Sequence, residues 1–510
     1  MLPGTKNKTL TDYWFYVYPI LFALAYSQKP LFTFNQNTKF ISGLAHAGYR
    51  DVSADWMAQI TDPFPLFSGL LQLQHQLLGV FAGVHLSFLL IVALYGITGI
   101  WLAKNFLAQI EGKQRMLLIF SCIWLIVHSS ELREIWLNYF PDGLADQYIL
   151  RSFYQPTAFG VLLLTGATAY ISGRLQLAAV LFILAPLFHP TYLIPSALIA
   201  TTLTVLPANR SLGISRNKRI FFLSLVLFAL TPYAIWCINS LSSGDPLIQE
   251  KAHQLLAEVR IPHHANPLLW EHGLTAKFFL VGLAASWFGR KWIIGQLIIV
   301  MLLFIAVTML WAIIAPNPTL GVLAPWRLSV IIAPLCWIVV LATAARWLTG
   351  VISNKAFSSY TGLGWAFIII VIGITSSIGI YRFYAGYHYK KTSDYYAISR
   401  FIETYHEPGS QYLIPIDQMN IRLEAGVPVF VTWKSHPTKD SEFLEWYKRI
   451  QAAQVIYDNQ AGLTQSEMLV LKEKFSVTHV IWPTEKGDFP FLKMGSPVYS
   501  DKYFSLWDMR

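Results

Sequence analysis

Charge is what this chain has least of. Only 13% of its 510 residues are Asp, Glu, Lys or Arg, about half the roughly 25% of a soluble domain, which excludes an ordinary cytosolic enzyme. The 55% hydrophobic content excludes disorder as well. Cysteine is scarce too. Cys122, Cys237 and Cys336 all lie inside apolar runs, so there is no disulfide framework and no CxxC metal site, and the three read as small packing residues. Also missing are a GxxxxGK[ST] loop, a strand-borne GxGxxG, HExxH and GxSxG, which argues against ATP-driven pumping, nicotinamide chemistry and serine hydrolysis. Internal repeats are not evident.

Long apolar runs are what the chain has instead. Eleven are read as spanning helices: 13–28, 77–103, 115–130, 153–172, 175–188, 190–207, 220–240, 274–288, 292–314, 327–348 and 361–382. Pro186, His189 and Pro190 make 175–207 the weakest pair, open to a hairpin or re-entrant reading. The first run lacks a small-residue cleavage signature and reads as a retained span. With the N-terminus inside, the cytoplasmic loops carry Lys104, Lys113, Arg115, Arg174, Arg216, Lys218, Arg219, Arg290, Lys291 and Arg346 among others, offset only by Asp12 and Glu111. Acids and bases nearly balance on the other side, as the positive-inside rule expects. The excess positive charge is therefore a topology signal, and no nucleic-acid partner is expected.

An odd number of spans places the tail outside. Residues 1–383 are read as a transmembrane domain with a long first outer loop, 29–76, and residues 384–510 as an extracytoplasmic α/β domain. In the tail, Asp394–His406 reads as a helix, Gln411–Pro415 and Val427–Thr432 as strands, 438–457 as a helix with acids early and bases late, 464–475 as another helix, and Val477–Trp482 and Tyr503–Trp507 as strands.

Candidate chemistry gathers at the outer edge. In the first loop, Phe40, Ile41, Leu44 and Ala45 recur at helical spacing and suggest an interfacial amphipathic helix. Asp51, Asp55 and Asp62 follow. Asp51 or Asp55 has the chemistry of a general base or metal ligand; the alternative is that Asp55 caps a helix and Asp62 starts a turn. The second outer loop crowds Glu131, Arg133, Glu134, Asp142, Asp146 and Arg151, which either pair with one another or meet substrate. Tyr148, Tyr154 and Gln155 have the composition of sugar contacts, and an interfacial aromatic belt accounts equally for the tyrosines. His189 reads as a structural histidine or as a phosphate or proton partner. Arg327, opening an apolar span, either snorkels or holds a lipid phosphate with its fork. His263 and His264 have no ligand at metal spacing. On the tail, Arg422, Lys434 and His436 are candidates for an acceptor-facing surface.

This layout of many spans, an acid-bearing first outer loop and an outer α/β domain after the last span resembles the GT-C superfamily of polytopic membrane glycosyltransferases. The tail stretch FIETYHEPGSQYLIP looks like the opening of outer domains in such proteins, and RLEAGVPVFVTWKSHPTKDSEFLEWYKR resembles a segment of uncharacterised bacterial membrane proteins of this architecture. The resemblance implies a sugar donor on a polyprenyl phosphate, a glycan, lipid or protein acceptor, membrane lipid as a partner, and an inner-membrane location in the cell envelope. It implies Asp51 or Asp55 as the first-loop acid, Arg327 for the donor phosphate, and a divalent cation (Mg or Mn) as the one candidate cofactor, with no metal ligands assigned. The WWD-type motif of oligosaccharyltransferases and an adjacent acidic pair in the first loop are both missing. The other function classes are a transporter or channel for a glycan, lipid or ion, and a noncatalytic scaffold; polar groups at the edge of the membrane and not along the spans favour interface chemistry over passage.

Overall fold

The computed structural model describes residues 10–108, 110, 112–207, 212–351, 361–458, 470–487, 489 and 496–510. All eleven apolar runs are helical, and the protein is a multi-pass membrane protein with a small α/β domain on its tail. The helices differ in reach. Pro65–Phe106, Arg216–Leu241, Ile293–Ile314, Pro318–Gly350 and Ile368–Lys390 are each long and apolar enough to cross a bilayer. Lys113–His128 and Leu132–Tyr139 qualify only as a pair, bent by 86°. Trp14–Tyr26, Pro156–Ile171, Leu175–Phe188 and Pro190–Val205 are shorter; at about 1.5 Å per residue they fall short of a hydrocarbon core of about 30 Å. The middle pair of these packs inward through Leu163, Leu164, Ala167, Phe182 and Ala185, all fully buried.

The helix Pro65–Phe106 is two helices. At Gly79 the backbone takes φ 74° and ψ 157°, a region open in practice only to glycine, and the chain doubles back. Gln74 Nε2 donates to Ser87 Oγ at 2.7 Å across the reversal. The first arm therefore belongs to the loop region and the second is the span, close to the expected start at residue 77. The helix expected near Phe40 forms at Ile41–His46, but it does not lie on lipid. Phe40, Ile41 and Leu44 are buried because Gly43 packs on Ser68 and Leu71 of the first arm.

The tail builds a four-stranded mixed sheet, β1 (Tyr412–Leu413), β2 (His479–Pro483), β3 (Tyr499–Ser500) and β4 (Phe504–Asp508), in the order β1-β2-β4-β3. The pair β1–β2 is parallel, and β4 is antiparallel to both its neighbours. Helices Asp394–Tyr405 and Asp440–Asp458 fall where expected; the second buries Phe443, Trp446, Ile450 and Ala453 at helical spacing in the domain core. Val427–Thr432 differs from its expected strand, making one parallel bridge, Tyr412 to Val429. Pro428 has no N–H, and the N–H of Val429 is donated to Asp55 at 2.8 Å instead of to a ladder. Of 464–475, residues Val470–Lys474 form one wide helical turn, and 464–469 lie outside the described residues. The last long helix runs on to Lys390, past the expected boundary at 383.

The tail domain is fastened to the first loop. Asp55 Oδ2 meets Arg422 Nε at 2.8 Å with both side chains wholly shielded from solvent, while Asp55 Oδ1 accepts the N–H of Met57 at 2.7 Å. Thr61 donates to Glu442 through its N–H and its hydroxyl, Asn37 donates to Asn420 at 2.7 Å, and Asp51 meets His406 at 2.9 Å. Among the described residues the terminal nitrogens of Arg422 have no hydrogen-bond partner, so Asp55 is its one compensating charge. Removing one member of such a pair costs about 3–5 kcal/mol, whereas replacing both by apolar groups can be neutral. Asp55→Ala is accordingly expected to lower the thermal midpoint of the purified protein and to expose the 390–394 junction to protease. The double variant Asp55→Leu with Arg422→Met should recover most of the loss, and an unchanged midpoint in Asp55→Ala would contradict this role.

Candidate functional site

Where the tail domain meets the membrane helices lies a cavity of about 600 Å³. Its wall is drawn from the end of the first helix (Tyr26, Gln28), the first loop (Phe34, Asn35), the segment after the 86° bend (Arg133, Glu134), the second loop (Asp146, Tyr148, Arg151), His263 with His264, and Lys434 of the tail. Aromatic rings, amides and paired charges on one concave surface suit a polar ligand with apolar faces.

The second loop is held in a costly shape. Ala145 and Asp146 sit consecutively at φ 57° and 51°, a left-handed conformation that costs roughly 1–2 kcal/mol for each non-glycine residue. The neighbours enforce it. His264 Nδ1–H donates to the Ala145 carbonyl at 2.6 Å, which fixes the ring tautomer, and the N–H of Leu144 donates to Ser329 Oγ at 2.8 Å. At Gly143 any Cβ would stand 2.7 Å from the Gln147 carbonyl oxygen. The result aims Asp146 outward, its side chain 77% exposed, with Arg151 Nη2 at 2.9 Å from Oδ1 and the Arg151 guanidinium 4.5 Å from the Tyr148 ring centre. Strain of this kind clusters at functional sites.

At the end of the cavity marked by Tyr148, His264 and Lys434, positive charge accumulates. Arg327 opens its span with Nη1 donating to Thr191 Oγ1 at 3.0 Å, and Thr191 is also hydrogen-bonded to His189 Nδ1 at 2.8 Å. The His189 ring packs on Phe64 at 5.0 Å, and the ammonium of Lys39 lies 4.3 Å from the same ring's centre. From the opposite side Arg260 Nη2 donates to the Lys434 carbonyl at 3.1 Å. Among the described residues none of Lys39, Arg260, Arg327 and Lys434 forms an ion pair with a carboxylate. Their shared field is visible in their titration. Burial, then Arg327, Lys434 and Arg260, bring Lys39 down to about 7. Burial and Arg260 lower Lys434. Burial, then His263 and more weakly Arg327 and Lys434, hold His264 at about 3, and burial with Arg260, Lys39 and Lys434 holds His436 at about 3, so both imidazoles are neutral at pH 7.

Of the residues singled out in the sequence, the cavity gathers Arg133, Arg151 and Lys434, and Arg327 and His189 lie together behind the Tyr148–His264 wall. Arg133 is itself paired with Asp142 at 2.6 Å. Gln155 accepts from Asn35 of the cavity wall at 3.1 Å. Four expectations are redirected by the partners these side chains take. Asp55 does not line the cavity, since Oδ1 caps its own helix at Met57 and Oδ2 meets Val429 and Arg422 of the tail; Asp51 meets His406 of the tail; Arg422 is sealed against Asp55; and Tyr154 is wholly buried, its hydroxyl accepting from Gln74 at 3.1 Å. The Glu131 side chain lies outside the described residues. Lys39 and Arg260 carry no site signal in the sequence, and Asp146 is one of six charged residues crowded into the second loop. The signal for Asp146 was its place between Pro141-Asp142-Gly143 and Arg151 in a short connection.

A divalent cation does not fit this wall. Glu134 and Asp146 are its carboxylates among the described residues, Arg151 already holds the second, and no cluster of three His, Cys, Asp or Glu stands among the described residues.

A family described as "Domain of unknown function (DUF6798)" matches residues 393–453, a segment that includes both tail stretches quoted above. A search of curated proteins gives no match. Among solved structures, the chain is similar to an Archaeoglobus fulgidus oligosaccharyltransferase tethered with an acceptor peptide, at 12% identity and a TM-score of 0.43 over 93% of this chain and 69% of that one. It is also similar to ArnT from Cupriavidus metallidurans bound to undecaprenyl phosphate, at 10% identity and a TM-score of 0.45 over 98% of this chain and 97% of that one.

The cation cluster makes a measurable demand on Lys39. Because burial and neighbouring positive charge disfavour its protonated form, its amine becomes nucleophilic near pH 7, whereas an ordinary lysine does so near about 10.4. Acylation of Lys39 with limiting reagent, read by mass spectrometry against pH, should show a midpoint near 7 that rises in Arg327→Gln. A midpoint close to that of exposed lysines would show that the cluster does not exist as described.

Proposed function

We propose that the protein is a membrane glycosyltransferase that moves a sugar from a polyprenyl-phosphate-linked donor to an acceptor on the extracytoplasmic face of the membrane. The observation that carries this reading is the set of four cations, Lys39, Arg260, Arg327 and Lys434, that form no ion pair with a carboxylate among the described residues and gather beside a cavity that Lys434 lines together with Asp146. Buried positive charge held with no carboxylate in ion-pair contact is unfavourable to assemble; an anionic headgroup would relieve it. The positive-inside pattern of the loops supports the extracytoplasmic placement of this end.

In the reaction the bond between the sugar's anomeric carbon and the phosphate oxygen breaks and a bond from that carbon to the acceptor hydroxyl oxygen forms. The electron pair leaves with the polyprenyl phosphate, where the cations stabilise the growing negative charge. The acceptor's proton passes to a carboxylate on the wall, and Asp146 is the residue we assign to it, with Arg151 orienting it. Asp55 serves this chemistry at a distance by seating the tail domain and with it Lys434. A transporter would carry its polar groups along the spans; here they converge at one end, which supports transfer at the interface.

Two variants separate binding from chemistry. Arg327→Gln should weaken binding of polyprenyl phosphate by roughly ten- to a hundredfold, the worth of a hydrogen bond to a charged group, about 1.5–3 kcal/mol. Asp146→Asn should retain that binding and lose sugar transfer from a membrane-derived donor pool. Full transfer by Asp146→Asn would remove the base assignment, and unaltered lipid affinity in Arg327→Gln would remove the phosphate site.

A further inference from the structure

Asp146 and the cations belong to different segments, and one short stretch of chain touches both. Helix Pro246–Leu255 is tied to the tail domain, where Asp440 accepts the N–H of Ser243 at 2.7 Å and meets His253 Nε2 at 3.4 Å. The helix runs into one wide turn, Leu256–Arg260, in which the N–H of Ile261 donates to the carbonyl of Leu256, five residues back, at 2.8 Å. Wide turns of this kind are rare and recur at functional sites. Here the turn sets Arg260 among the cations, with Nη2 on the Lys434 carbonyl, and the chain then folds into Pro262–Ala265. Within that fold His264 is held by two bonds. Its carbonyl accepts the indole N–H of Trp326 at 2.9 Å, and Trp326 immediately precedes Arg327. Its Nδ1–H donates to the Ala145 carbonyl at 2.6 Å. The next residue, Ala265, is packed so closely on Gly321 that any Cβ there would stand 3.0 Å from its own. The stretch Arg260–Ala265 therefore connects two of the cations to the peptide that precedes Asp146.

We propose that His264 is a positioning residue: through the Ala145 carbonyl it sets the direction of the Asp146 carboxylate, and the stretch Arg260–Ala265 makes that setting depend on an anionic headgroup resting against Arg260 and Arg327. The left-handed pair Ala145–Asp146 contains no glycine, so it keeps its shape only where neighbours hold it. Burial, with His263 beside it, keeps the imidazole neutral at pH 7, and the bond to Ala145 places the one ring proton on Nδ1. A phosphate among the cations attracts Arg260 and Arg327 toward one point. It restrains the stretch at both attachments, and with it the imidazole that braces the turn. Coupling of this kind is reciprocal, so a turn that is set also favours the bound headgroup. The consequence is order: the acceptor hydroxyl meets a directed carboxylate once the donor is in place. The headgroup and the task of Asp146 rest on the transferase reading; the hold of His264 on the turn does not.

The test uses the full-length protein in detergent, with polyprenyl phosphate as the probe and hydrogen exchange of residues 140–150 read by mass spectrometry. The amides of Leu144 and Gln147, bonded to Ser329 Oγ and to the Leu144 carbonyl, report on the turn. Saturating polyprenyl phosphate should slow this exchange in the wild type. His264→Leu should exchange faster without lipid, bind polyprenyl phosphate as the wild type does, and show no slowing on binding. His264→Asn, whose amide N–H stands in for Nδ1–H, should restore the slowing. In sugar transfer His264→Leu should lower kcat roughly ten- to a hundredfold, the cost of a misplaced catalytic group, with KM for the donor unchanged and His264→Asn recovering most of the loss. A residue that served the fold alone would lose lipid binding and rate together, with no rescue by Asn. Equal exchange in wild type and His264→Leu, or full kcat in His264→Leu, overturns the positioning role. No slowing in the wild type, or slowing that persists in His264→Leu, overturns the coupling. The expected exchange pattern in a protein that transfers no sugar keeps the hold and the coupling and removes the transferase reading.

Discussion

The carboxylate of Asp55 and the guanidinium of Arg422 meet where solvent reaches neither, and the position of the tail domain follows from that meeting. A charge in such a place is tolerable only with its counter-charge present, so the pair fixes register in a way that apolar packing, which tolerates sliding, does not. Once Asp55 has taken the N–H of Val429 and the side chain of Arg422, the strip from Val427 to Thr432 cannot join the sheet in full, and it lies instead along the first loop. Lys434 and His436 follow directly on that strip, so the same contact brings tail residues to the cavity.

Two electrostatic regimes then stand side by side. On one side, burial first and then the neighbouring Arg327, Lys434 and Arg260 bring Lys39 down to about 7. Behind the second loop, Asp142 and Asp146 are paired with Arg133 and Arg151, and Glu271 caps the helix His272–Phe288. The partition between the two is the Asp146–Arg151 pair, carried on a strained turn that His264 and Ser329 hold in place. A transfer in which an anionic phosphate departs while a neutral hydroxyl attacks would use this division of labour.

Much of the layout was legible in the sequence because hydrophobic runs and loop charge report directly on membrane insertion. All eleven runs are helical, and the helices Asp394–Tyr405 and Asp440–Asp458 announced themselves through period and charge order. What could not be read was depth. Thirteen apolar residues look the same whether they cross lipid or pack inside a bundle, and the reversal at Gly79 left no trace beyond one glycine among leucines. The acids were harder still. Asp55 reads equally as a cap and as a base, and it is a cap whose second oxygen reaches 374 residues along the chain to Val429. Lys39 carried no signal of its own, because its neighbours Arg260, Arg327 and Lys434 come from three distant segments that only the fold assembles.

The account stands or falls on where a lipid phosphate rests. A cryo-electron microscopy structure of the protein saturated with polyprenyl phosphate measures this directly. Density for the phosphate between Arg327, Lys39 and Lys434, with the chain leaving toward the bilayer, is the result expected. A phosphate seated elsewhere, with these side chains still facing one another across empty space, would contradict it.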